Sequence, residues 1–564
     1  MRSQAASRVS FDEPALDTLP DTVGGQIARA LAEMGVTTVF GVISIHNMPI
    51  LDGIAEQGLI RFVPARGEAG AMNMADAYAR VHGGLGVVLT STGTAAGNAA
   101  GGQAEALTAG SPILHITTQV ELSHADRDRA PIHDVPKQPE MLKGISKAYF
   151  RVWDAASVIG TLSAACSAAL SAPTGPVSLE VPVDVQRMAP VTTARAYPPV
   201  IVRPLASDAA IDELAERVKT ARRPLLWLGG AQAQATELVA RGFGAVTSTT
   251  GRGVVPEDNA ASLGAFNMTR EAEEIYASSD LMIVVGSKLR GNETRDNKLP
   301  LPGQLVQVDA DAERGGKNYP VAQFLHGDAA DTLQRLLDRL PAKLDTDPTM
   351  PHDIASARAR SEGALRERLG PYQIVADHLL GRVQAGRHPW VRDVTISNST
   401  FGNRYVTVAA PNLGVHAAGG GIGQGIAMGI GAALASPDAK AVTLLGDGGA
   451  MLGIAELITA VDEGANLVYL LMNDAAYGVI QNIQDAQYGG RRHYSQLKTP
   501  NFAKLCDAVD MPHMRVDNIE AFPDAFDAAL KVDGPVVLEV DMVAIGPFAE
   551  AFAGPPAGAA GKAS

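Results

Sequence analysis

The segment from Leu444 to Gly478, LLGDGGAMLGIAELITAVDEGANLVYLLMNDAAYG, constrains the fold of this chain more than any other. An apolar strand runs into Gly446-Asp447-Gly448, a helix follows, and a second apolar strand ends at Asn473-Asp474. Two such strands joined through a helix are parallel neighbours, buried on both faces. Both acidic residues then sit past strand carboxyl ends, where open α/β sheets bind ligands. Asp447 and Asp474 are 27 positions apart, yet the helix and return strand bring their oxygens to one sheet edge. Hard oxygen ligands beside a glycine turn that offers backbone N–H groups suit a magnesium-bridged diphosphate. GDG alone is a common tight turn. GDG and ND at successive strand ends form a far narrower pattern.

Strand and helix alternate along the rest of the chain, which predicts an α/β protein of three doubly wound parallel-sheet domains. At 564 residues the chain is too long for one core. The first block, residues 20–190, carries the strands TTVFGV, RFVPA, LGVVLTSTG, SPILHITTQV and GPVSLEVPVDV. A Pro-rich linker around Ala194–Ser207 leads to the second block, residues 200–340, with RPLLWLGG, GAVTS, DLMIVVGS and QLVQVDAD. PAKLDTDPTMPHD reads as a second linker. The third block, residues 370–545, carries VTISNS, GVHAAG, AKAVTLLGDGG, LVYLLMND and GPVVLEVDM. The first and third blocks share a similar element order. The tail to about Pro20 and the small-residue end AFAGPPAGAAGKAS read as loose.

A net charge of −14 argues against nucleic acid or an anionic membrane as the main partner. No uncharged apolar run reaches membrane-spanning length, and no apolar stretch follows Arg2 and Arg8 as in a signal peptide. Cys166 and Cys506 form no disulfide or metal pattern, so a cytoplasmic protein is expected.

The GDG…ND segment resembles the thiamine diphosphate signature, GDG followed after two dozen or so residues by NN. Over roughly residues 20–545 the chain resembles the acetolactate synthase, 2-oxo acid decarboxylase and benzaldehyde lyase superfamily. The three blocks are then pyrimidine-binding, central and diphosphate-binding domains. The resemblance implies thiamine diphosphate and Mg2+, with Asp447, Asp474 and the carbonyl of Ala476 as metal ligands. Gly446, Gly448, Gly449, Ala450, Asn473, Tyr477, Gly478 and Val479 complete the diphosphate site. Asp474 stands where the family usually has Asn; it keeps the ligating oxygen and adds a charge.

GGGIGQGIAMGIGAALA resembles the family's GxMGFGLPAAIGA stretch. It implies Ile422 as the apolar prop under the bent cofactor and Gly420 as the carbonyl meeting its amino group. Asn398, Ser399 and Thr400, read as the end of a strand, are further candidates for the diphosphate. PARGEAGAMNMADAYAR resembles RHExGAxxMADGYAR, which places Glu68 against the pyrimidine ring as the activating carboxylate. Gly67 replaces a histidine found in many members.

FGVISIHNMPI resembles the loop that brings a histidine in benzaldehyde-lyase-like enzymes, implying His46 as a proton-transfer residue. In APIHDVPKQ, Ile132 and His133 stand where acetolactate synthases carry Phe-Gln. STGTAAGNAAGG departs from the usual SGPGxTN by lacking its proline. Ile132, Ile480 and Ile483 are expected to wall the substrate pocket.

These residues imply an acetolactate-synthase-like enzyme that decarboxylates a small 2-oxo acid or acts on a related ketone, with carboligation or aldehyde release. The alternative is a carbon–carbon bond lyase or hydrolase acting on a hydroxyketone or diketone. A protein that keeps the fold without catalysis is disfavoured by the intact Glu68 and Asp447. A homodimer or homotetramer is implied, because relatives build the site between subunits. The middle block shows no nucleotide fingerprint, so FAD, bound there in some relatives, is neither implied nor excluded.

Overall fold

The computed structural model describes residues 22–191, 196–229 and 233–552. The N-terminal tail to Pro20, Ala194 at the head of the first linker, and the end of the chain from Ala553 lie outside them. Every strand pair in the described residues is parallel.

The first sheet contains β1 (Thr38–Gly41), β2 (Arg61–Pro64), β3 (Gly86–Thr90), β4 (Ile113–Gln119), β5 (Ala148–Arg151) and β6 (Val177–Pro182). Its order is β2-β1-β3-β4-β6-β5. The second contains β7 (Pro224–Leu228), β8 (Gly244–Thr247), β9 (Leu281–Val285), β10 (Leu305–Asp309) and β11 (Gln323–His326), in the order β11-β10-β9-β7-β8. The third contains β12 (Trp390–Arg392), β13 (Gly414–His416), β14 (Ala441–Gly446), β15 (Leu467–Asn473), β16 (His513–Val516) and β17 (Val536–Asp541). Its order, β13-β12-β14-β15-β17-β16, repeats that of the first sheet strand for strand. The central strands β3, β4 and β6 are buried throughout, as expected where helices cover both faces.

In each repeated sheet the strand order reverses between the first strand and the third. That reversal opens a crevice at the carboxyl ends, the place where such sheets bind ligands. The two crevices follow β1 and β3 in the first domain, and β12 and β14 in the third.

The first and third domains share one apolar core. Helix Glu68–His82 packs on helix Gly425–Ala435 so closely that a Cβ on Gly431 would lie 2.0 Å from the Met74 carbonyl oxygen. Only glycine permits that approach. The central domain is tied to the third by Arg252, buried and paired with Glu257, whose guanidinium also donates to the carbonyls of Gly402 and Asn403.

Two sequence expectations fail locally. VTISNS is not a strand: β12 stops at Arg392, and Asn398–Gly402 winds into one wide helical turn. Trp390 donates its indole N–H to the Gly402 carbonyl at 3.0 Å, holding that turn under the sheet. Tertiary contact here overrides the β-propensity of Val394, Thr395 and Ile396. The second linker is also partly helix, because Met350–Arg368 buries Met350, Ile354 and Ala357 against the central domain. No helix of the described residues is long and apolar enough to cross a membrane.

His115 on β4 gives a pH prediction. It is wholly buried, with Nδ1 2.7 Å from Gln103 Oε1 and Nε2 2.9 Å from Thr90 Oγ1. Burial pushes its pKa down to about 3, so the folded chain keeps it neutral. Below about pH 6.5 the unfolded chain takes up this proton and the folded chain does not, so stability falls with pH. The share from His115 is about 2 kcal/mol by pH 5. Urea unfolding at neutral and acid pH should show that loss, reduced in His115→Gln.

Candidate active site

The crevice of the first domain gathers His46, Ser91 and His133. The loop after β1 is locked by Asn47, whose Oδ1 accepts from Ser44 N at 2.8 Å and whose Nδ2 donates to Val42 O at 2.9 Å. That lock turns His46 inward, 5% exposed, with Nδ1 3.4 Å from Ser91 Oγ. The His46 and His133 rings meet edge to face, centroids 5.2 Å apart. Burial first, then the adjacent His133, holds the His46 pKa below its ordinary value. Ile132 beside them is 68% exposed.

His133 adopts φ +69° and presses its carbonyl against Gly93, where a Cβ would come within 2.1 Å of that oxygen. Gly93 itself sits at φ +65°. This double constraint gives STGT its glycine at that place. Beneath it lies Gln138, whose Oε1 accepts from Gly93 N at 2.5 Å and Thr92 Oγ1 at 3.0 Å, and whose Nε2 donates to Glu180 at 2.7 Å. Sequence reading missed Ser91 and Gln138. Neither carries a local signal, since Gln138 acts across 45 positions.

Glu68 opens the helix Glu68–His82, and its Oε2 accepts from Asn98 Nδ2 at 3.1 Å. Gly67, extended at the N-cap, replaces the histidine of the resemblance with bare backbone.

The crevice of the third domain gathers the GDG and ND residues. The glycine turn expected at GDG is a helix start: β14 ends at Gly446, and helix Asp447–Leu452 begins at Asp447. Asp447 is fully buried, and neither carboxylate oxygen has a hydrogen-bond partner. Burial, then the neighbouring Asp474 carboxylate, pushes the Asp447 carboxyl well above the usual carboxylate range. Burial raises Asp474 as well. Asp447, buried with both oxygens unpartnered beside the half-buried Asp474 carboxylate, offers hard oxygen donors of the kind that a cation would satisfy.

The surrounding residues interlock. A Cβ on Gly448 would strike the Tyr477 ring at 2.6 Å, and one on Gly478 would reach Asp474 Oδ2 at 2.3 Å. Asp474 Oδ1 accepts from Ala476 N at 3.2 Å across Ala475, which sits at φ +53°. Asn473 donates to Glu539 at 2.7 Å and so braces the turn from behind. Asp393 accepts from the N–H groups of Gly423 and Gly425 at 3.0 and 3.2 Å, shaping the loop that carries Gly420 (φ +81°) and Ile422. A Cβ on Gly449 would lie 3.0 Å from Asp393 Oδ2, and Ala450 is buried behind it. Ile422 and Ile480 are left 39% and 48% exposed, with Val479 and Ile483 half-buried next to Ile480.

Asn398 is buried with Oδ1 unpartnered and Nδ2 3.4 Å from His416 Nδ1. Ser399 donates its backbone N–H to Thr395. The Thr400 hydroxyl donates back to Ile396 O and Ser397 O, both at 3.0 Å.

The chain does not bring Glu68 to its own Gly420. The Gly420 loop lies at the far end of the Glu68 helix: Arg80 Nη1 donates to His416 O at 2.6 Å, and Gly419 N donates to Glu105 at 2.8 Å. Glu68 stands twelve residues before Arg80, about 18 Å along the helix axis.

Three family models match the chain in the order of its three sheets. They are the N-terminal TPP binding domain (residues 21–141), the central domain (211–336) and the C-terminal TPP binding domain (396–540) of thiamine pyrophosphate enzymes. The chain belongs to the thiamine pyrophosphate enzyme family. Among its relatives is a probable 2-ketoarginine decarboxylase of Pseudomonas aeruginosa, 32% identical over 82% of this chain and 83% of the relative. The mitochondrial acetolactate synthase catalytic subunit of Saccharomyces cerevisiae is 25% identical over 94% of this chain and 82% of its own. The acetolactate synthase large subunit of Haemophilus influenzae is 27% identical, covering 90% and 91%. As a thiamine pyrophosphate enzyme, the chain has one cofactor-binding domain at each end, and these carry the two repeated sheets.

Proposed function

We propose that this thiamine pyrophosphate enzyme requires magnesium and decarboxylates a small 2-oxo acid, either releasing an aldehyde or joining the remainder to a second carbonyl compound. The observation that carries this reading is the buried, unpartnered carboxylate of Asp447 beside Asp474, in the crevice of the third domain. Hard oxygen donors of this kind fit Mg2+, and the Ala476 carbonyl completes a three-ligand set from the protein. The relatives' names, a decarboxylase and synthases, support both outcomes.

Thiamine diphosphate, when bound, supplies the carbon that takes up the electrons left as carbon dioxide departs. The protein's part is binding, orientation and proton control. Asp447 and Asp474 hold the metal, and the Gly448 and Gly449 amides are available to the diphosphate at a helix N-terminus. Ile422 would prop the ring system, and the Gly420 carbonyl would receive its amino group. Glu68 would hold a proton against the pyrimidine nitrogen, which would make the amino nitrogen basic. His46 and His133 line the substrate side, and Ile132, Ile480 and Ile483 wall it.

We further propose a homodimer, or a tetramer built from dimers, in which Glu68 of one subunit serves the Asp447 crevice of another. The 18 Å helix between Glu68 and its own Gly420 loop supports this arrangement, about that length by helical rise.

A panel of 2-oxo acids, followed by carbon dioxide release and product mass, tests the reaction class. Magnesium-independent turnover, or carbon dioxide release from none of the panel, would overturn the reading. His133 decides the outcome of the second half-reaction. An imidazole beside the reacting carbon delivers a proton and favours aldehyde; an amide does not. His133→Gln should therefore shift products toward the joined 2-hydroxyketone, by up to about a hundredfold if His133 is the general acid. An unchanged ratio with turnover retained removes His133 as the donor.

A further inference from the structure

The helix that begins with Glu68 has no local N-cap side chain. Its first peptide units are held instead by Glu456, the first residue of helix Glu456–Asp462 in the third domain, 389 positions away. The Glu456 carboxylate accepts from Arg66 N at 3.1 Å and from Gly67 N at 3.1 Å, and Thr459 Oγ1 donates to it at 2.7 Å. Glu456 is 4% exposed. Room for it is made by Gly70, where a Cβ would lie 2.1 Å from Glu456 Oε1. A carboxylate at a helix N-terminus satisfies free N–H groups and meets the positive end of the helix dipole.

We propose that Glu456 is a positioning residue for Glu68: it fixes the two peptide units that precede Glu68 and so sets the direction in which the Glu68 carboxylate points. Domain cohesion does not require this contact. The seam already has the ion pairs Arg61–Glu463 and Arg66–Asp462 and a continuous apolar core around Met74 and Gly431. The Glu456 bonds differ in kind, because they go to backbone amides immediately before the functional residue. Asn98 holds the Glu68 carboxylate from the other side at 3.1 Å, so Glu68 is clamped at its backbone and at its tip. Glu456 also stands nine residues after Asp447, at the start of the helix that follows the one Asp447 begins.

This inference rests on the proposed role of Glu68, and the test separates the two. The measurement is hydrogen–deuterium exchange at the reactive C2 of thiamine diphosphate, by NMR, on holoenzyme saturated with cofactor and Mg2+. Glu68→Gln calibrates it, with an expected slowing of more than about a hundredfold. Glu456→Ala should slow the same exchange by about tenfold or more while cofactor affinity stays within about threefold. In the protein without cofactor, backbone amide exchange at Arg66 and Gly67 should rise by at least about tenfold.

Glu456→Gln keeps an accepting oxygen and should recover most of the C2 rate. Gly70→Ala displaces the carboxylate without removing it and should reproduce the defect, so the outcome does not hang on one variant folding. A purely structural Glu456 would lower the melting temperature and leave C2 exchange per bound cofactor unchanged. If Glu68→Gln is slow but folded Glu456→Ala and Gly70→Ala exchange like the wild type, the positioning role is overturned. If Glu68→Gln itself exchanges normally, the role of Glu68 falls first.

Discussion

Asp447→Ala is expected to abolish magnesium-dependent binding of thiamine diphosphate while making the metal-free protein more stable. The opposite signs follow from one geometry. Without a cation, Asp447 is a buried carboxylate with two unpartnered oxygens facing a second carboxylate, Asp474. Removing it relieves both burial and repulsion, so the metal-free chain should melt at a higher temperature. On the proposed reading magnesium would take the same oxygens as ligands, and their loss would leave it Asp474 and one carbonyl. Breaking one side of a buried charge pair costs about 3–5 kcal/mol, which is on the order of a thousandfold in affinity. Calorimetry of cofactor binding with and without Mg2+, beside thermal melts of the metal-free protein, reads both signs. Asp474→Asn keeps a ligating oxygen and should lose far less affinity while still stabilising the metal-free state. Wild-type cofactor affinity in Asp447→Ala would remove the metal from this crevice.

What could be read from the sequence was what the sequence holds locally. Ala441 to Gly478 is one local unit, a strand, two short helices and a return strand, so both carboxylates and the glycines that make room for them lie inside a single stretch. The alternation of strand and helix was legible for the same reason, since burial on both faces leaves continuous apolar runs such as Gly86–Thr90. Val394, Thr395 and Ile396 misled because β-branched residues favour strands only where neighbours extend the sheet; here Trp390 and Thr400 fold the chain back on itself. Met350, Ile354 and Ala357 do repeat at helical spacing, but one narrow stripe among charged residues is easily hidden by the prolines before it. Gln138 and Glu456 were not legible at all. Each acts on a backbone amide brought near by folding, and a lone Gln or Glu in a helix looks like a solvated residue until its partner is known.

The largest gain of activity is expected from mixing two variants that are each inactive. Glu68→Gln lacks the proposed activating carboxylate, and Asp447→Ala lacks the proposed metal ligand. If each active site takes Glu68 from one subunit and Asp447 from the other, a hybrid dimer has one site with both defects and one with neither. Random exchange of equal amounts makes half the dimers hybrid, so the mixture should recover about a quarter of wild-type activity. A chain that closed its own Glu68 over its own Asp447 crevice would recover none, because every site would carry one lesion. The helix geometry favours the first outcome: Arg80, not Glu68, reaches the loop that carries Gly420. Mass spectrometry of differently tagged subunits establishes that hybrids form, and activity is then measured on the hybrid fraction. Hybrids that form and stay inactive would show that Glu68 and Asp447 do not meet across an interface, and the shared-site assembly would have to be abandoned.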